Sequence, residues 1–162
     1  MTLSKQPSII LGIDPALSKT GWAVISSLNN SLSFIACGTI KTDAKDPLSN
    51  RLSFIHNSIN QVIKTYQPTQ VAIEETFVNK NPVSSLKLGH ARGVLMLSAA
   101  NFGLNIYEYA STAVKKAVVG VGRAEKKQVG VMVKHLMPKA NFETEDEADA
   151  IAVAICHIHQ KF

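Results

Sequence analysis

Four carboxylates, Asp14, Glu74, Asp146 and Asp149, have the types and settings that could do chemistry. Asp14 closes the apolar run Ser8-Ile9-Ile10-Leu11-Gly12-Ile13 and is followed by Pro15, and Glu74 closes a second apolar run, Gln70-Val71-Ala72-Ile73. Runs this short, rich in β-branched residues and ended by a break, read as strands buried on both faces. A carboxylate at such an end must stay hydrated, meet a cation or shift its pKa. For Asp14 the alternative is a turn cap shared with Pro15 and Ser18. Asp146 and Asp149 are three residues apart, so on a helix both project from one face. The helix dipole alone accounts for acids in a first turn, such as Glu145 and Glu147, but Asp149 lies deeper and directly precedes the apolar run Ala150 to Ile155.

If these acids converge at one edge of a sheet they repel one another until a cation neutralises them. Oxygen-only donors favour Mg²⁺, with Mn²⁺ as a substitute, over Zn²⁺. Paired hard cations suit in-line phosphoryl displacement, one activating water and the other stabilising the leaving oxygen. Glu75 is the neighbour that complicates the set, because consecutive strand residues face opposite ways and both faces here are covered. Among the histidines, His157 lies two turns beyond Asp149 and reads as a packing residue, and His159 as a surface one; His56, His90 and His135 show no ligand spacing.

The elements that must position these groups follow from periodicity. After Asp14 a turn leads to a strand at Trp22-Ala23-Val24-Ile25 and another at Leu32 to Ile40, with connections short enough for antiparallel hairpins. Asp46-Pro47 reads as a helix cap followed by proline at the first position, and Leu48, Leu52, Ile55, Ile59, Val62, Ile63 and Tyr66 form that helix's apolar stripe. A helix from about Ser84 to Asn101 carries Gly89, Ala91 and Gly93, which would let another helix, of the core or of a second subunit, approach closely. A fifth strand runs from Leu104 to Tyr109, and Ser111 caps a short helix with Val114 and Val118 inward. A basic helix from Ala124 to Met137 places Val129, Val133 and Leu136 inward and Lys126, Lys127 and Lys134 largely outward. Thr144 and Glu147 form a capping box that opens the last helix.

The chain of 162 residues reads as one α/β domain, 1–162, with a five-stranded mixed sheet flanked by helices. Its hydrophobic fraction of 46% excludes disordered and fibrous classes, and the absence of an 18-residue apolar run or signal segment predicts a cytoplasmic protein. Cys37 and Cys156 lie inside apolar patterns and read as reduced, buried thiols. The net charge of +5 is uneven: Glu143, Glu145, Asp146, Glu147 and Asp149 cluster, and the segment before them carries Lys115, Lys116, Arg123, Lys126, Lys127, Lys134 and Lys139 against Glu125 alone. Such a segment suits a polyanion, or is a solvated helix face.

Five motifs in order carry a resemblance: GIDPALSKTG from Gly12, VAIEETFVNKN from Val71, SLKLGHARGV from Ser85, YEYASTAVKKAVVGVGRAEKKQV from Tyr107 and DEADAIAVAICH from Asp146. Over nearly the whole chain the sequence is similar to the crossover junction endodeoxyribonuclease RuvC family. The resemblance implies an RNase H-like fold and a homodimer that resolves four-way (Holliday) DNA junctions by paired symmetric nicks, with two Mg²⁺ ions per site. It also implies cooperation with the RuvA and RuvB branch-migration proteins. By motif position the catalytic and metal-binding acids would be Asp14, Glu74 rather than Glu75, Asp146 and Asp149; Phe77 would be the aromatic that stacks on a base, and Lys115 and Lys126 would contact DNA. Ala16 stands where the family usually has glycine, so the turn after Asp14 must avoid a positive φ. The competing expectations are an RNase H-like nuclease of the RuvX/YqgF type acting on RNA, which the basic segment fits less well, and a non-catalytic junction-binding protein, which four acids facing phosphates disfavour. A nucleotide-binding domain of the actin and sugar-kinase kind would need a second lobe.

Overall fold

The computed structural model describes residues 6–29, 31–75 and 80–160. Five strands form one sheet in the order β3-β2-β1-β4-β5. They are β1 (Ser8–Asp14), β2 (Lys19–Leu28), β3 (Ser31–Lys41), β4 (Gln70–Glu74) and β5 (Asn105–Tyr109). The two hairpins are antiparallel, as their short connections require, and β1 pairs parallel with β4 and β4 with β5. The sheet is therefore mixed. The helices among the described residues are α1 (Leu48–Tyr66), α2 (Pro82–Asn101), α3 (Ser111–Val119), α4 (Lys126–Leu136) and α5 (Glu145–Gln160).

Strand alternation divides the core in two. Leu11 and Ile13 of β1, Val24 of β2 and Ile73 of β4 face α1 and α2, where Ile55, Ile59, Ala91 and Leu95 cover them. Ile10, Ala23, Ile25 and Ala72 face the other way, under α5 with α3 and α4 outside it. Helix α5 is buried along almost its whole length, from Ala148 to Ile158 with only Asp149 less enclosed. It lies that close because Gly12 and Gly21 leave room: a Cβ on Gly12 would meet the Ala150 carbonyl oxygen at 2.2 Å, and one on Gly21 the Asp146 carbonyl oxygen at 2.0 Å.

Several local expectations differ from the structure. Asp46 does not cap α1; Pro47 occupies the cap position without a side-chain bond, and Leu48, the first helical residue, is exposed. The start of α2 lies two residues earlier than its apolar pattern suggests, because Asn81 caps it by accepting hydrogen bonds from Val83 N (3.0 Å) and Ser84 N (3.3 Å), with Pro82 at the first turn. In α4 the cap is Glu125 in a capping box with Gln128, and Met137 rather than the exposed Leu136 closes the inner face. The Thr144/Glu147 box forms as expected: Glu147 N donates to Thr144 Oγ1 (3.2 Å) and Thr144 N to Glu147 Oε2 (3.4 Å), which also accepts from Glu143 N (2.7 Å). Positive φ occurs at the non-glycine residues Asn29 and Gln67, so Ala16 needs no glycine geometry. Thr20 closes that turn instead, its hydroxyl donating to Ala16 O at 2.5 Å. No helix among the described residues is long and apolar enough to cross a membrane.

Candidate active site

At the C-terminal ends of β1 and β4 a cavity of about 110 Å³ is lined by Asp14, Glu74, Ser111, Val114, Lys115, Lys126, Val129 and Asp149. Each acid reaches it for a local reason. Asp14 points to the α5 side because Ile13 before it is committed to the opposite core, and Glu74 does so because of Ile73. Glu75 is past the strand, its N–H donating to Tyr109 O at 2.8 Å, and does not line the cavity. Asp149 enters from α5. Asp146 flanks the cavity without lining it, close enough to raise the pKa of both Asp14 and Asp149.

These charges are strongly coupled. Burial, reinforced by the charges of Glu74 and Asp149, pushes the Asp14 carboxyl up to about 8, against a smaller pull from Lys126. Burial also raises Glu74, although a hydrogen bond with the Ser111 side chain holds it down and Lys115 and Lys126 help. Asp149 is raised by burial despite its ion pair with Lys126, Nζ to Oδ2 3.2 Å. Burial works against the Lys126 ammonium, but the surrounding carboxylates, Asp149 first, leave its pKa raised overall.

Lys126 corrects an expectation: it is not simply an outward residue of α4 but lies in the acid cluster from the first turn of that helix. Lys115 lines the same cavity from α3. Ser111 also departs from its assigned role. Ala110 holds the cap position of α3 without a side-chain bond, and the Ser111 hydroxyl serves Glu74 instead. Phe77 lies outside the described residues. His157 is a packing residue, fully buried, with Nδ1 2.6 Å from the Tyr109 hydroxyl and Nε2 2.7 Å from Gln70 Oε1. His159 is exposed. Cys156 is buried and Cys37 half-buried, both free.

The donor chemistry fits a divalent cation. Three carboxylates with no sulfur ligand line one small notch, and their raised pKa values record burial first and mutual repulsion second, both of which a hard cation would offset. Among the described residues, however, no three acids, histidines or cysteines yet converge as a finished metal-binding group. Positive charge comes from Lys126, paired with Asp149, and from Lys115, whose pull on Glu74 is the larger of the two.

The model of the crossover junction endodeoxyribonuclease RuvC family matches residues 10–157. The chain belongs to that family. The crossover junction endodeoxyribonuclease RuvC of Agrobacterium fabrum is 52% identical over 152 residues, spanning 94% of this chain and 89% of that protein. The relative of the same name from Sinorhizobium medicae is 53% identical, with 94% and 91% coverage. Among solved structures, Thermus thermophilus RuvC in complex with a Holliday junction substrate superposes with a TM-score of 0.88 at 28% identity, covering 95% of this chain and 94% of that one. The yeast mitochondrial Holliday junction resolvase Ydc2, at 11% identity and a TM-score of 0.67, shares the fold. The mixed five-stranded sheet is thus the RNase H-like fold of the RuvC resolvases.

Within this RuvC-family site, sequence reasoning missed Ser111 and Gly21. Ser111 carried a signal that pointed elsewhere, since serine before a helix normally caps it. Gly21 gave no sign of its role, because its contact with Asp146 is between residues 125 positions apart and exists only once α5 is docked.

Proposed function

We propose that this chain is an endonuclease that resolves four-way DNA junctions by paired nicks during recombination and repair, with Asp14, Glu74, Asp146 and Asp149 as its catalytic acids. The reading rests above all on one observation: in a RuvC-family chain, Asp14, Glu74 and Asp149 share a single notch with Lys115 and Lys126. The four acids would hold two Mg²⁺ ions, or Mn²⁺ in their place. When bound, such ions supply an activated water and neutralise the leaving oxygen in an in-line displacement.

The chain's own residues do the rest. Asp14, central to the cluster, must give up its proton to serve as a ligand, because its carboxyl stays protonated up to about 8. Ser111 orients Glu74 by hydrogen bonding to it. Lys115 and Lys126, which line the same notch, contact the DNA beside the acids. Phe77 stacks on a base near the junction centre, and Phe77→Ala lowers cutting without changing the melting temperature. Two copies act as a homodimer in the cytoplasm, supplied with junctions by the RuvA and RuvB branch-migration proteins.

The test is an end-labelled mobile junction incubated with the protein, with and without Mg²⁺. Symmetric nicks that require the metal are expected. Binding with no nicking under Mg²⁺ or Mn²⁺ would leave a junction-binding protein, and preferential cleavage of structured RNA would overturn the substrate.

A further inference from the structure

The acids are held from the front of the sheet by α3, α4 and α5, but Glu74 is also held from behind. Glu74 is the last residue of β4, where the ladder ends and strand conformation is no longer enforced by pairing on both sides. The peptide that joins it to Glu75 is nonetheless fixed at both its polar groups. Its N–H donates to Tyr109 O of β5 at 2.8 Å. Its carbonyl, Glu74 O, accepts from Arg92 Nε of α2 at 3.4 Å.

Arg92 comes from the face opposite the notch. Its guanidinium is oriented by Glu108 of β5, with Nη2 2.7 Å from Oε2, and the arginine side chain is only 18% exposed. The contact with Glu108 is a charge contact, since the buried Nη2 hydrogens are not aimed along it. Glu108 lies opposite Ile73 in the β4–β5 register, and Tyr109 opposite Glu74, so carboxylate, guanidinium and strand end form one cluster. A partly buried guanidinium placed against a strand-end carbonyl costs desolvation that an apolar side chain of similar volume would avoid. A planar fork reaches a carbonyl from Nε and a carboxylate from Nη2 with the two nitrogens fixed relative to each other, whereas an ammonium presents all its donors from one rotatable nitrogen on a flexible stem.

We propose that Arg92 is a positioning residue for cleavage: by fixing the Glu74–Glu75 peptide from behind the sheet, it sets the direction in which the Glu74 carboxylate enters the notch. Glu108 acts through Arg92, holding the fork in place. The inference rests on the reading of Glu74 as a catalytic acid.

The experiment separates binding from chemistry. Junction dissociation constants without divalent metal and single-turnover cleavage rates at saturating protein are measured for wild type, Arg92→Lys, Arg92→Met, Glu108→Gln and Glu74→Gln, with melting temperatures alongside. Arg92→Lys keeps the charge beside Glu108 and is expected to keep the wild-type melting temperature and junction affinity. Its single-turnover rate is expected to fall about 10- to 100-fold, because a displacement of the order of 1 Å at a catalytic group costs that much. Arg92→Met should fall at least as far, and Glu108→Gln less. A wild-type rate in Arg92→Lys, or rates across the series that simply follow melting temperature, would overturn the proposal and leave Arg92 a structural ion pair. If Glu74→Gln itself cleaves at the wild-type rate, the assignment of Glu74 has failed, a result distinguishable from failure at Arg92.

Discussion

Asp14 ends a strand whose other residues are committed to two cores, so its carboxyl is held among other acids by the packing of the whole sheet. Its pKa of about 8, against an ordinary 3.8, means the folded chain binds that proton more tightly than the unfolded chain. Stability therefore falls as pH rises between about 4 and about 8 when divalent cations are chelated, because ionising Asp14 is harder in the folded state. Asp14→Asn removes that charge at nearly constant volume. In thermal denaturation with EDTA at pH 8 it is expected to melt roughly 10 °C above wild type, with the difference closing toward pH 4. The same variant should bind a four-way junction normally and lose cleavage. Equal melting curves across this range would show that burial and the neighbouring acids do not raise the Asp14 carboxyl. Metal affinity provides a companion measurement: calorimetric titration of wild type with Mn²⁺ should show binding strengthening as pH rises toward about 8 and protons released on binding. At this scale the sequence was legible where an acid interrupts an apolar run, as at Asp14 and Glu74. It was not legible at Ser111, whose hydroxyl has two plausible partners, or at Lys126, whose helix periodicity reads as outward although its long side chain turns into the notch.

Helix α5 is the element that completes the cavity, and its distance from β1 and β2 is set by the missing side chains of Gly12 and Gly21. The two positions differ in what they protect. Gly12 faces Ala150 and Ala154 in the middle of the packed helix, whereas Gly21, which pairs with Asp14 across β1 and β2, faces the backbone of Asp146 at the helix start. A methyl at Gly12 should cost about 1–3 kcal/mol in chemical denaturation, since backbone must move to admit it. Gly21→Ala should separate stability from activity: the first turn of α5 can yield with less loss of packing, but Asp146 is carried with it. Cleavage is expected to fall by about 10-fold or more at saturating protein, with a smaller stability loss than at Gly12. Wild-type cleavage in Gly21→Ala would remove Asp146 from the site. The architecture itself was readable from short apolar strands, hairpin-length connections and α5's apolar run, because those patterns record burial on both sides of a sheet. Helix starts were less so. Asp46, Ser111 and Asn81 are all residue types that cap helices, and only Asn81 does so here, since the choice depends on backbone direction at the preceding turn.

A single notch cannot make two symmetric nicks, so the proposed reaction needs a second copy, and α2 offers the surface for it. The small residues of this helix divide between two faces: Ala91 is fully buried against α1 and the sheet, while a Cβ on Gly89 or Gly93 would meet nothing within 4 Å. Gly93 and Leu97 lie seven and eleven residues beyond Leu86, which places each within about 20° of Leu86 around the helix. Leu86 is 65% and Leu97 59% exposed, with Val83 beside them at 58%. Two such faces related by a twofold axis are self-complementary, leucines of one helix meeting the open glycines of the other. Sedimentation equilibrium should therefore give twice the chain mass of 17.5 kDa for the wild type. The double variant Leu86→Glu/Leu97→Glu, altered only at exposed positions, should keep its circular dichroism and sediment as a monomer. On a junction it should bind more weakly and lose the pairing of its nicks, so that singly cut intermediates accumulate. A double variant that remains dimeric, or a wild-type monomer that still cuts in pairs, would move the dimer contact away from α2. Because Arg92 lies on this same helix and bonds the Glu74 carbonyl, a dimer contact across α2 would share one rigid element with the support of the Glu74–Glu75 peptide, and the double variant should therefore also be assayed for its single-turnover rate.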